Sequence, residues 1–489
     1  MNNPNSSLRC IVTIGLILIY LPLFAQQSYP AEVQRRIDQV EAGLIGNIRI
    51  EGEPAWSLKE RMTHYKVSAV TVAVIHNYKV EWAKAYGWAD VSAKTQATPQ
   101  TLFQAASISK SLNGVGVLKL VQDKKVDPGT DINTYLTSWK FPYDERAKGK
   151  KITLNNLLSH TAGLTVHGFG GYAKGNKIPT TVQILNGEAP ANSGPVRSEF
   201  EPDLRVMYSG GGTTISQLIV MDVTGQPYAK FMEETVLRPM GMMTSSFQPD
   251  VNVTSLLATG YHADGTEIAG KFQTYPEMGA AALWTNPTEL GNYIIETQLS
   301  LVGKSSKVLS QEFTKRRLTP YKENAALGVF IQTNDGEKYF EHGGSNQGFR
   351  SQYSGSMSGG YGYAIMVNSD DGSIIQEVAN AIAATYGWKG LLNSKTKKLA
   401  TVTADKLKTL EGYYQLRDNN NLQLQFTAQG NQLQLREVWT GRTVMFMPES
   451  DVEFFSHDFP FTLKFTVDSG GMPTEVLAVG ADVWVKKGK

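Results

Sequence analysis

Residues 103–110 read FQAASISK, which places Ser107 three positions before Lys110. Positions three apart on a helix lie on one face, one above the other, so the hydroxyl and the amine can meet. A serine hydroxyl is a weak nucleophile and needs a partner to take its proton. A lysine can do so only if burial or a nearby cation lowers its pKa from about 10.4 towards about 7–8. The apolar neighbours of the pair make such burial possible.

The same spacing also fits a less specific interpretation, a serine near a helix start with an exposed lysine. A second match, residues 394–397, lies in a polar segment without an apolar helix around it, and we interpret it as chance. The first motif therefore needs support from the rest of the chain.

Around this motif the chain alternates between strand-like and helix-like segments. Val67–Ile75 and Val80–Tyr86 are apolar and separated by a short turn, which predicts a hairpin. Apolar periodicity predicts helices over Thr101–Gln122, Thr213–Val223 and Ile374–Tyr386. Strands followed by helices and further strands favour an α+β sandwich, with a mainly antiparallel sheet flanked by helices and an additional helical subregion.

The pattern changes after Trp388. A Lys- and Thr-rich connector is followed by short segments of period two, which predict a small all-β barrel or sandwich. We therefore divide the chain into a signal peptide (1–25), a large domain (26–392), a linker (393–408) and a C-terminal all-β domain (409–489).

Two glycine-containing motifs offer further candidates. Tyr208-Ser209-Gly210 precedes the Thr213 helix, and a tyrosine on a tight loop can present its phenol to a cleft as a base. The alternative is a helix cap made by Ser209, with Tyr208 as packing. His342-Gly343-Gly344-Ser345 suits a strand that a substrate approaches closely, with the Ser345 and Ser107 N–H groups facing a developing oxyanion. The alternative is a plain turn.

Composition excludes several functional classes. The formal net charge of the 489 residues is +2 and no block of like charges occurs, so nucleic acid is not an expected partner. We found neither a Gly-x-Ser-x-Gly elbow nor a His-Glu-x-x-His motif, and the histidines are scattered, so we predict neither a metal nor a cofactor. The glycine-rich segment at 168–173 resembles a dinucleotide loop but lacks a strand–helix frame, so we interpret it as a flexible loop.

The N-terminus predicts export to the periplasm or the extracellular space. Arg9 precedes the apolar run Ile11–Phe24, which is short for a membrane span, and a cleavage site is expected before Gln26. An uncleaved anchor is the alternative. The single cysteine, Cys10, lies before the apolar run, so we expect neither lipidation nor disulfides in the mature protein.

Together, the three motifs resemble the serine β-lactamase and penicillin-binding-protein superfamily, most closely its class C β-lactamase, DD-carboxypeptidase and esterase branch. Residues 157–164, 237–242 and 282–287 are also similar to segments of that family. The resemblance implies that Ser107 is the nucleophile, that Lys110 and Tyr208 move protons, that His342 opens the third motif and that Ser345 supplies an oxyanion-hole amide. It leaves open which of Lys110 and Tyr208 is the base.

Two departures from the family pattern bear on the substrate. Gly210 stands where the family usually has an asparagine that holds a substrate amide. His342-Gly343-Gly344 replaces Lys-Thr-Gly, which removes a fixed positive charge and a hydroxyl. The resemblance therefore implies a hydrolase of small esters, amides or D-amino-acid peptides rather than an efficient β-lactamase. A non-catalytic sensor or cell-wall-binding protein on the same scaffold is the alternative.

Overall fold

The computed structural model describes residues 28–250, 253–457, 461–478, 480 and 482–488. The predicted signal peptide lies outside these residues. The helices are α1 Ala31–Ala42, α2 Leu58–His64, α3 Ser109–Gln122, α4 Leu154–Leu158, α5 Thr181–Asn186, α6 Gly210–Thr224, α7 Tyr228–Met232, α8 Met278–Ala281, α9 Pro287–Leu301, α10 Gln311–Arg317, α11 Ser373–Tyr386 and α12 Ala404–Leu410. None of the described helices is long and apolar enough to cross a membrane.

The strands fall into a large sheet, a barrel and two short pairs. Those before the barrel are β1 Ile48–Ile50, β2 Ala69–His76, β3 Lys79–Asp90, β4 Thr95–Gln96, β5 Phe103–Ala106, β6 Leu283–Thr285, β7 Phe330–Asn334, β8 Glu337–Asn346, β9 Phe349–Ser356, β10 Gly362–Val367 and β11 Lys395–Lys397. Those of the barrel are β12 Gly412–Leu416, β13 Gln423–Gln429, β14 Gln432–Glu437, β15 Thr443–Pro448, β16 Glu453–Phe455, β17 Thr462–Val467, β18 Pro473–Ala478 and β19 Asp482–Gly488.

The large sheet has the order β4-β3-β2-β10-β9-β8-β7, and its neighbouring strands run antiparallel. Its central strand is β10, and the neighbouring β2 is also buried on both faces except at its last residue. The turn from β2 to β3 uses Asn77 and Tyr78, both at positive φ, as a two-residue hairpin turn with the sheet's twist requires. The predicted hairpin is therefore confirmed.

Helices cover both faces of this sheet. On one face α1 and α11 pack over a core that includes Val72, Ile365 and Ile382. On the other face α9 packs against β2, β3 and β10, and a second core extends into the helical region around α3 and α6. The predicted fold class, an antiparallel sheet flanked by helices with a helical subregion, is confirmed.

The C-terminal strands β12–β19 close into a barrel around their own apolar core. Buried and more exposed residues alternate along these strands. In β14, for example, Leu433 and Leu435 are buried, and the residues on either side of them are more exposed. A closed barrel leaves no free edge strand, which explains how such short strands form a stable unit. This confirms the predicted all-β architecture of this region.

The segment predicted as a linker contains regular structure. β11 pairs in parallel with β1, with Ile48 opposite Lys395 and Ile50 opposite Lys397. The Lys395 N–H donates to the Asn47 carbonyl over 2.9 Å. The helix α12 then begins at Ala404. A three-residue strand whose partner lies far away in the sequence leaves no local pattern, and so the composition suggested only a connector.

The helix predicted over Thr101–Gln122 is wrong in its first part. Residues Phe103–Ala106 form β5, which pairs with β6 from a distant part of the chain, and the helix begins only at Ser109. Local apolar periodicity cannot distinguish a short buried strand from a buried helix. This tertiary pairing determines where the helix begins.

Candidate active site

Ser107 lies at the junction between β5 and α3. Ala106, directly before it, has φ +50°, a conformation that a residue with a side chain rarely adopts. The Lys110 N–H donates to the Ser107 carbonyl over 3.0 Å, which closes the first turn. This sharp reversal leaves the side chain of Ser107 lining the main cleft.

Lys110 lies directly against this serine. Its Nζ donates to Ser107 Oγ over 3.1 Å and to the Ala280 carbonyl in α8 over 2.8 Å. The lysine side chain is buried, and burial lowers the pKa of Lys110 to about 7. A substantial fraction of the amine is therefore neutral at neutral pH and able to accept a proton.

Tyr208 reaches the same serine from the loop before α6. The neighbouring Ser209 caps this helix by accepting the Gly212 N–H over 2.9 Å, which anchors the loop. Lys110 Nζ lies 4.8 Å from the centre of the Tyr208 ring. Burial raises the pKa of Tyr208 to about 12, opposed by a hydrogen bond with the Ser107 side chain. The phenol is thus protonated at neutral pH.

His160 supports this tyrosine, and we did not assign it a role from the sequence. Its ring lies against the Tyr208 ring with centroids 4.4 Å apart and is stacked on Phe330 at 6.0 Å. Its Nδ1 accepts the Ser209 N–H over 3.2 Å. Burial and the positive charge of Lys110 hold the pKa of His160 well below its usual value, so the ring is neutral. The one sequence signal for His160 was its position inside the family-like segment 157–164.

His342 lies on β8, with its ring centroid 6.1 Å from that of Tyr208. Its Nδ1 lies 2.6 Å from the Gly343 carbonyl, so this nitrogen carries the proton. Burial and the charge of Lys110 lower the pKa of His342 to about 4. Its Nε2 is buried without a hydrogen-bond partner among the described residues. A neutral ring therefore stands where the family usually places a fixed positive charge.

Gly344 allows β8 to approach the strand that carries the nucleophile. A Cβ at this position would lie 2.1 Å from the Ala105 carbonyl oxygen. That carbonyl also accepts the Ser351 hydroxyl over 3.0 Å, so it cannot easily move away. Gly343, Gly344 and Ser345 all line the cleft beside Ser107. This third motif is therefore part of the site.

Gly210, in contrast, does not line the main cleft. It is the first residue of α6, and the space beside its Cα is taken by the Phe169 ring and the His167 carbonyl. The structure thus brings Ser107, Lys110 and Tyr208 together and places this glycine behind the tyrosine.

The main cleft has a volume of about 930 Å³. It extends from Ser107 past the start of α11 and the end of α2 to Arg442 and His457 of the barrel. Among the described residues no group of three or more His, Cys, Asp or Glu side chains is placed to hold a metal ion. The polar groups around Ser107 thus belong to a cleft large enough for a small-molecule substrate.

Comparisons with known proteins agree with this geometry. Protein flp of Staphylococcus aureus strain N315 is 27% identical over 320 residues, which cover 62% of this chain and 60% of that protein. The octameric penicillin-binding protein homologue from Pyrococcus abyssi superposes with a TM-score of 0.61 at 20% identity, covering 88% of this chain and 98% of that one. The D-amino acid amidase from Ochrobactrum anthropi SV3 gives 0.57 at 17% identity, covering 73% and 99%.

These structural likenesses establish the fold alone, since both fall below 25% identity. The family is shown by a separate match: the sequence model described as Beta-lactamase matches residues 57–390. That span contains β5, α3, α6 and β8, the elements that carry the motifs around Ser107. The chain therefore belongs to the beta-lactamase family.

Proposed function

We propose that this protein is a serine hydrolase that forms an acyl-enzyme on Ser107. The observation that carries the proposal is the contact of 3.1 Å between Lys110 Nζ and Ser107 Oγ, made by an amine whose pKa burial lowers to about 7. An amine of this kind can take the hydroxyl proton as the oxygen attacks a carbonyl carbon. An exposed lysine could not, because it would remain protonated.

The two proton carriers have distinct roles in this proposal. Lys110 has the pKa near neutrality and acts as the base in the first step. Tyr208, with a pKa of about 12, is protonated and passes a proton to the departing group, regaining one from Lys110. The N–H groups of Ser107 and Ser345 hold the oxyanion. Water then attacks the acyl carbon and gives one proton to Lys110. As the bond between the acyl carbon and Ser107 Oγ breaks, this proton passes to Ser107 Oγ, which restores the free enzyme and releases the acid.

The substrate we propose is a small ester, an amide or a peptide of D-amino acids. His342 is neutral and Gly343 has no hydroxyl, so the third motif itself supplies neither the fixed cation nor the hydroxyl donor that would receive the carboxylate of a β-lactam. Arg350 also lines this cleft, but its guanidinium is paired with Asp370 over 3.2 Å. A structural neighbour is a D-amino acid amidase, which supports inclusion of amides. We therefore expect weak β-lactam hydrolysis.

Covalent labelling and turnover test the proposal together. Wild type should be labelled by a fluorophosphonate and should hydrolyse p-nitrophenyl acetate, whereas Ser107→Ala should do neither. Ser373→Ala is the matched control, because Ser373 lines the far wall of the same cleft. Equal labelling of wild type and Ser107→Ala would contradict the proposal. Labelling of Ser107 without any turnover would favour the sensor or binding protein instead.

A further inference from the structure

Phe169 occupies the space beside Gly210. A Cβ at Gly210 would lie 2.8 Å from Cε2 of Phe169 and 3.3 Å from the His167 carbonyl oxygen. Gly210 follows Tyr208 by two residues, so the aromatic ring packs against the loop that carries the phenol. Only glycine leaves room for this ring, and the two residues are therefore matched.

Hydrogen bonds hold the loop that carries this ring. The Gly210 N–H donates to the His167 carbonyl over 3.2 Å, and the Gly211 N–H donates to the Val166 carbonyl over 2.9 Å. His167 Nδ1 lies 2.7 Å from the Tyr208 carbonyl oxygen. Val166 has φ +64°, which a β-branched residue adopts only when its surroundings impose it. The position of the ring is thus determined by several contacts.

The ring contacts both an apolar wall and a second cavity. It packs against an apolar wall that includes Tyr275 and Ala280–Ala282, and the Ala280 carbonyl is the acceptor of Lys110 Nζ. The same ring lines a cavity of about 650 Å³ bordered by Thr165 and residues 192–195. Phe169 is therefore shared between that cavity and the wall whose Ala280 carbonyl binds Lys110.

The two sides of Ser107 differ in how much room they offer. The cleft of about 930 Å³ opens towards α11 and the barrel, which provides a route for the leaving group to depart and for water to enter. The acyl group, in contrast, remains attached to Ser107 until water attacks. The apolar wall and Phe169 lie outside the lining of this cleft, and they offer an apolar surface for a group that stays bound.

We infer that Phe169 determines the size of the acyl group that the enzyme accepts, by closing the passage from Ser107 to the second cavity. This inference rests on the proposed acyl-enzyme at Ser107. Wild type then prefers short acyl groups, and removal of the ring admits longer ones. Gly210 is required because a larger residue would displace the ring.

The test compares Phe169→Ala with Phe200→Ala. Phe200 is a half-buried phenylalanine that packs on Gly163. With p-nitrophenyl acetate, butyrate and octanoate, the ratio of kcat/KM for octanoate over acetate should rise about tenfold in Phe169→Ala, since each newly buried methylene contributes severalfold. The ratio should not change in Phe200→Ala. For acetate esters of alcohols of increasing length, the order of kcat/KM values should be the same in wild type, Phe169→Ala and Phe200→Ala.

Gly210→Ala provides an independent test of the inference about Phe169. Introduced into the wild-type protein, its methyl group should displace the Phe169 ring and raise the ratio of kcat/KM for octanoate over acetate. In the Phe169→Ala background the same substitution should not raise this ratio further. Phe169→Leu, which retains apolar packing, should move the ratio in the same direction and covers the case in which the alanine variant fails to fold. If the variants are folded and their activity depends on Ser107, an unchanged ratio of kcat/KM for octanoate over acetate would overturn the inference about Phe169 but not the proposed function. Activity that does not depend on Ser107 would overturn the proposed function as well.

Discussion

The ring of His160 lies against that of Tyr208, with the centroids 4.4 Å apart, while its Nδ1 accepts the N–H of the next residue, Ser209. One histidine thus holds both the phenol and the backbone that carries it. His160 itself has φ +58°, so its own backbone is held in an uncommon conformation. We interpret it as a positioning residue for Tyr208.

The first prediction concerns this pair. His160→Ala should lower kcat for p-nitrophenyl acetate by about 10- to 100-fold with a smaller change in KM, because a misplaced proton donor affects the transition state more than substrate binding. His64→Ala is the control, since His64 lines the same cleft away from Tyr208. Equal losses in both variants would refute the positioning role.

The second prediction is a pH dependence. Lys110 must be neutral to accept the Ser107 proton, and burial lowers its pKa to about 7. A plot of kcat/KM against pH should therefore rise with pH, with a midpoint near 7, and then level off. His342, with a pKa of about 4, is neutral across this range and should not contribute. A midpoint near the ordinary lysine value would contradict the lowered pKa on which the proposed role of Lys110 depends.

The third prediction uses two adjacent glycines. Gly344→Ala should reduce activity strongly and destabilise the fold by about 1–3 kcal/mol or more, because its Cβ would lie 2.1 Å from the Ala105 carbonyl oxygen. Gly343→Ala should be tolerated, since the nearest atom to its Cβ would be the Ser351 carbonyl oxygen at 3.7 Å. Thermal unfolding and ester hydrolysis measure both effects. Similar behaviour of the two variants would contradict the close approach of β8 to β5.

The fourth prediction concerns Glu277, at the start of α8. It is fully buried, and its carboxylate oxygens have no hydrogen-bond partner outside their own residue in the described part of the chain. Burial raises the pKa of Glu277 from 4.5 to about 7. A carboxyl with a raised pKa favours the folded state at low pH, and this contribution is lost as the pH rises from the unfolded towards the folded pKa.

Glu277→Gln removes this titration. Relative to the variant, wild type should lose about 2–3 kcal/mol of unfolding free energy between about pH 5 and pH 8, at about 1.4 kcal/mol per pKa unit. Urea unfolding at both pH values measures the difference. The exposed Glu188→Gln should show no such pH dependence. If the difference in unfolding free energy between wild type and Glu277→Gln is the same at both pH values, the Glu277 carboxyl is charged in the folded protein throughout this range.

Local patterns predicted some of these features and could not predict others. The apolar run of β2 and the short turn before β3 indicated the hairpin, and the spacing of Ser107 and Lys110 indicated their contact. The family-like segment 157–164 contains His160, but its role depends on a stack with a loop far away in the sequence, which no local pattern predicts. Likewise, Phe169 lies in a glycine-rich segment that we interpreted only as a flexible loop. Its contact with Gly210 became visible once the chain was folded.

The pairing of β1 with β11 has a practical consequence for protein engineering. A fragment designed to end at residue 392, where composition places the end of the large domain, would remove β11 and leave the backbone groups of Ile48–Ile50 without their partners. Such a fragment would present an open strand edge to other molecules and would be prone to aggregate. A fragment extended through Lys398 retains the pairing and is the better choice for expression without the barrel.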